Sequence, residues 1–141
     1  MGADIRIWAQ VGDFDRKIAF GSVDTIEMPY PGRNYVLYSL MAGSNFLRSD
    51  RKLPLPYPPR GIPEDDRLPR EWDDDPHGET LYHPLDNYDH VSWLLPSELK
   101  HVIWQYESLE GRKAPTDILA LSNFVSTYGD DRARILFGFS I

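Results

Sequence analysis

The 141-residue chain contains no cysteine. This removes thiolate nucleophiles, CxxC redox pairs and every cysteine-containing zinc knuckle. It also lacks an apolar run long enough to span a bilayer, so no membrane segment is expected. Lys and Arg number 15 against 22 Asp and Glu, a net charge of −7. Without a basic excess the default electrostatic route to direct nucleic-acid binding is missing. The first residues, MGADIRIWAQ, have neither the basic start nor the apolar stretch of a secretory signal, and Arg6 stands where a myristoylation signal needs Ser or Thr. No phosphate-binding G-x-x-x-x-G-K, dinucleotide-binding G-x-G-x-x-G, zinc-protease H-E-x-x-H or nucleophile-elbow G-x-S-x-G is present. What remains is one soluble domain over residues 1–141, large enough to hold a core without a disulfide or structural metal, and expected in the cytoplasm.

The charge is unevenly placed. Residues 61–90 hold ten acids and two bases, a net of −8, whereas the other 111 residues hold 12 acids and 13 bases, a net of +1. Seven of the 12 prolines fall between Pro54 and Pro76, so this region can be neither a regular sheet nor a long helix. Residues 48–90 therefore read as a Pro-rich and acidic excursion from the domain, its acidic part a solvated loop, an acidic surface offered to a basic partner, or a carboxylate-rich rim around a ligand or metal. Within it, Pro54 to Pro59 has the alternating prolines of a polyproline II segment, expected to act as a stiff spacer across one face.

Around the excursion, Ile5, Ile7, Ala9 and Val11 alternate with Arg6, Trp8 and Gln10, the period of a half-buried strand, and residues 16–22 are expected to return beside it. Residues 35–42 read as a compact helix closed by Gly43. Pro63 begins a short turn, and residues 90–94 a short strand. Leu99, Val102, Ile103 and Tyr106, following Pro96, form the clearest amphipathic helix. Thr116 is the expected cap of a further helix over residues 117–128, stopped by Gly129, and residues 134–141 have the composition of a central strand. The fold class is α+β: a small mixed or antiparallel sheet that includes both terminal strands, with two to three helices on a face and the Pro/Asp-rich excursion outside.

Several blocks together resemble an uncharacterised family of bacteriophage and prophage proteins that begins near M-G-C-D-I-H and carries G-R-N-Y-x-L-F, P-R-G-L-P and S-W-L-T blocks before an ending near V-R-I-V-F-x-F-D. The matching blocks here are Met1 to Arg6, Gly32 to Gly43, Pro59 to Pro63, Ser92 to Leu99 and Ala133 to Phe139, in the same order and at similar spacing. The resemblance implies a phage-type origin and brings no catalytic residue with it. Ala3 stands in place of the family's Cys and Arg6 in place of its His, and Asp89-His90-Val91 replaces a His-rich approach to the Ser-Trp pair, which weakens any metal site built from those blocks.

Arg33 and Asn34 precede the first helix, and Arg60 sits in a Gly-bearing turn. These three are the candidate ligand-binding residues, placed to hold the anion of a phosphorylated small molecule or nucleotide, or else to orient their loops. Asp4, His77, His83, Asp86, Asp89 and His90 are residue types that a metal-dependent hydrolase could use, but their spacing matches no standard ligand pattern. No metal, no cofactor and no catalytic residue is assigned. Candidate partner-binding residues are Asp73, Asp74 and Asp75 with the aromatics Trp8 and Trp72. Trp8 lies on the polar side of its strand and Trp104 off the main apolar face of its helix; either is an exposed anchor or closes a second small core layer, the latter fitting Trp104 better. The functional expectation is an accessory protein of phage type, more a binder than an enzyme, that binds a host protein's basic site through its acidic surface in the bacterial cytoplasm and modulates or inhibits it, anti-defence inhibition being one form this could take.

Overall fold

The computed structural model describes residues 4–12, 24–28, 32–47, 50–69 and 81–140. Its strands are β1 (Asp4–Val11), β2 (Asp24–Glu27), β3 (Leu68–Pro69), β4 (Leu81–Tyr82), β5 (Asp89–Leu94) and β6 (Ala133–Ser140). Its helices are α1 (Tyr35–Ala42), α2 (Pro96–Glu110) and α3 (Thr116–Tyr128). The main sheet runs β2-β1-β6-β5 with every neighbour antiparallel, and β3 pairs with β4 as a separate two-stranded unit. The fold is therefore α+β with the first and last strands side by side at the centre. The return strand expected over residues 16–22 lies outside the described residues; among the described residues the strand beside β1 on the side away from β6 is Asp24–Glu27.

One face of the sheet follows the alternation of β1 directly. Ile5, Ile7, Ala9 and Val11 point the same way as Ala133, Ile135, Phe137 and Phe139 of β6, and all are buried under the helices with Leu40, Leu99, Val102, Ile118 and Val125. The helix boundaries have local causes. Asn34 caps α1 by accepting from the Leu37 N–H, and Gly43 ends it in the left-handed region at φ 71°. A Cβ on Gly43 would collide with the Tyr57 carbonyl oxygen, so glycine there also allows the proline segment to lie against the helix end. Pro96 opens α2 at a position where its missing N–H costs nothing. In α3 the helix starts at Thr116 itself, with Pro115 in the cap position, one residue earlier than the capping expectation.

The polyproline segment behaves as a spacer. Leu53 is buried and Leu55 and Tyr57 pack on the core, while contacts from Arg51 to Glu110, Tyr57 to His101 and Arg60 to Glu98 lay it antiparallel along α2.

The second face of the sheet departs from expectation. Trp8, which the alternation puts on the polar side of β1, is only 4% exposed. It packs with Leu85 and Leu136, flanked by Ile62, Tyr88, Val91 and Trp93. The acidic excursion is the reason: residues 61–67 and 83–88 fold back over this face instead of standing away from the domain as a solvated loop. Gly138 of β6 makes the approach close enough, since a Cβ there would lie 3.0–3.2 Å from Tyr88, Val91 and Leu85. Trp104, by contrast, is 63% exposed on the outer side of α2. The small second layer thus recruits Trp8 and leaves Trp104 out.

Candidate functional site

The folded part of the acidic excursion is held by polar groups that no periodicity reveals. Asp66, at the end of a short 3-10 turn over Glu64–Asp66, is completely buried. Its carboxylate accepts from Gln10 Nε2 at 2.9 Å and from His83 Nε2 at 2.7 Å, and lies 3.8 Å from Arg134 Nη2. Gln10 in turn accepts from Arg134 Nε at 2.7 Å, and Arg134 Nη1 donates to Asp65 at 3.1 Å. Two central strands, β1 and β6, therefore each send one long polar side chain through the second face to meet Asp66. A carboxylate so placed is tolerable only because its charge is met by a guanidinium and its oxygens by hydrogen bonds.

The tautomer of His83 follows from its neighbours. The Leu85 N–H donates to His83 Nδ1 at 3.0 Å, so that nitrogen carries the lone pair and the proton sits on Nε2, facing Asp66. The His83 backbone N–H donates to Asp86 at 2.7 Å, and Arg67 pairs with the same carboxylate at 2.8 Å. Partial desolvation pushes the Asp86 carboxyl up, but the His83 N–H and the Arg67 guanidinium outweigh it and hold the group below the ordinary carboxylate range. Although an Asp–His pair resembles half of an acid–base machine, here both imidazole nitrogens are engaged and both side chains are fully buried, so the pair pins the chain and reaches no substrate.

The three candidate ligand-binding residues separate into two places. Arg60 forms a bidentate pair with Glu98 at 2.6 and 2.5 Å, donates to the Trp93 carbonyl, and lies over the rings of Trp93 and Tyr57 at 4.6 and 5.5 Å. Hydrogen bonds from Arg60 are the main cause that draws the Glu98 carboxyl below its ordinary value of 4.5, helped by the Leu95 N–H. Arg60 thus braces the proline segment against the start of α2. Arg33 pairs with Asp4 at 3.1 Å in an exposed position, and with Asn34 lines a shallow cleft of about 230 Å³ whose other walls include Glu110 and Arg112. Glu98 and Glu110 stand at opposite ends of α2, about 18 Å apart at 1.5 Å per residue. A single pocket built on Arg33 and Arg60 does not form; the second guanidinium beside Arg33 is that of Arg112.

Asp73, Asp74, Asp75 and Trp72, as well as His77, lie outside the described residues. They fall between β3 and β4, whose pairing of Leu68 with Tyr82 and Pro69 with Leu81 brings the two ends of that stretch together. Among the described residues no three His, Asp or Glu side chains gather in a way that could hold a metal ion. His90 stacks on Phe46 with ring centroids 3.7 Å apart and adopts a positive φ of 51° where β5 slips register against β6.

Sequence reasoning missed Gln10, Asp66 and Arg134 as a set. One signal was available: Gln10 and Arg134 interrupt strands otherwise suited to the centre of a sheet, and a long polar side chain there requires a buried partner. Comparison with protein-family models, with curated proteins and with solved structures finds no match for this chain.

Proposed function

We propose that the protein is a non-catalytic binding module of phage type that acts in the bacterial cytoplasm by occupying a basic site on a host protein, thereby inhibiting or modulating it. The observation that supports this reading is the mounting of the acidic excursion. Residues 70–80 carry five acids and one base. The β3–β4 pair joins the two ends of that stretch, and Asp66 and His83 tie the chain on either side of it to the second face of the sheet. Exposed Glu64 and Asp86 belong to the same covering layer, and exposed Asp89 follows it at the start of β5. Negative charge carried from a stem anchored in this way steers a basic partner and loses less freedom on binding than the same charges on an untethered tail. Among the described residues no helix is long and apolar enough to cross a membrane.

The test is affinity capture from bacterial lysate at physiological salt, comparing the wild type with a triple Asp73→Asn, Asp74→Asn, Asp75→Asn variant of unchanged melting temperature. Loss of the captured protein in the variant, and its release from the wild type at high salt, are the expected results. Equal capture by both proteins overturns the reading.

A second reading, binding of a phosphorylated small molecule, is favoured by the cleft in which Arg33, Asn34 and Arg112 converge at the start of α1. Titration with inorganic phosphate followed by amide NMR should shift residues 33–36, and Arg112→Ala should remove the shift; unperturbed amides at millimolar phosphate end this reading.

A further inference from the structure

We draw no further inference here: the strongest candidate, the outer face of α2 on which Trp104 stands exposed against His101, whose other neighbour is the Tyr57 ring, is an unpartnered aromatic surface, and nothing in the structure shows what covers it.

Discussion

Removing the Asp66 carboxylate should be among the most damaging single changes to the second layer. In Asp66→Ala, Gln10 Nε2 and His83 Nε2 each lose their acceptor, and Arg134 loses the buried half of its counter-charge, leaving the partly exposed Asp65. Gln10, His83 and Arg134 are all buried, so bulk solvent does not reach the vacated donors while the layer stays closed. A buried donor left unsatisfied costs about 1–3 kcal/mol, and a buried charge deprived of its partner about 3–5 kcal/mol. The losses share one relaxation and do not simply add, so the expected destabilisation is about 3–5 kcal/mol. For a domain of this size that corresponds to a melting temperature lower by roughly 10–20 °C. Urea unfolding followed by tryptophan fluorescence measures it, since Trp8 and Trp93 lie in the same layer. Asp66→Asn, which keeps the shape and one acceptor oxygen, should fall between the wild type and the alanine variant. Glu64→Ala, an exposed position in the same turn, should stay within about 0.5 kcal/mol of the wild type. An Asp66→Ala protein within about 1 kcal/mol of the wild type, at an unchanged denaturant slope, would show that the network carries little of the layer's stability and refute the reasoning.

The two tryptophans whose expected places are reversed offer a paired measurement: Trp8→Ala should cost about 3–5 kcal/mol of unfolding free energy, and Trp104→Ala less than about 0.5 kcal/mol. Similar losses for both would contradict the placement of the second layer. Acid titration of stability tests the Arg60–Glu98 brace. Because the folded-state pKa of Glu98 is depressed, its contribution is complete above the ordinary value of 4.5 and disappears as pH falls through the lower folded value. Glu98→Gln should therefore flatten the stability profile below pH 4.5, and an unchanged profile would remove Glu98 from the acid response.

Elements with their own periodicity are legible in the amino-acid order alone. The apolar stripe of α2, the glycine stops of α1 and α3 and the β-rich last segment all report local requirements, and the chain meets them where expected. The second layer is not legible in the same way, because its causes are long-range. Nothing near Asp66 in the chain marks it as buried; it is surrounded by Glu64, Asp65 and Arg67 and reads as one more solvated charge. Its burial depends on Gln10 and Arg134, 56 and 68 positions away, which become adjacent only when β1 and β6 pair. The covering of that second face also accounts for Trp8, since alternation distinguishes the two sides of a strand without saying whether both are covered. For the candidate site, residue chemistry identified Arg33 and Asn34 as neighbours of a cleft, but the partner guanidinium comes from the α2–α3 connection instead of the Pro59-Arg60-Gly61 turn.

The pairing of β1 with β6 also imposes an order on assembly. Asp4 lies opposite Ser140 and Val11 opposite Ala133, so the contacts at the middle of the sheet are those most distant along the chain. During synthesis α1, the proline segment, α2 and α3 all emerge before the strand on which they pack. The β1–β2 pair waits beside an empty central position. Chains of such high contact order close slowly, and until they do an unpaired strand edge and the apolar undersides of three helices stay open to other molecules. The sheet is therefore completed late, since its centre closes only once β6 is available to pair with β1.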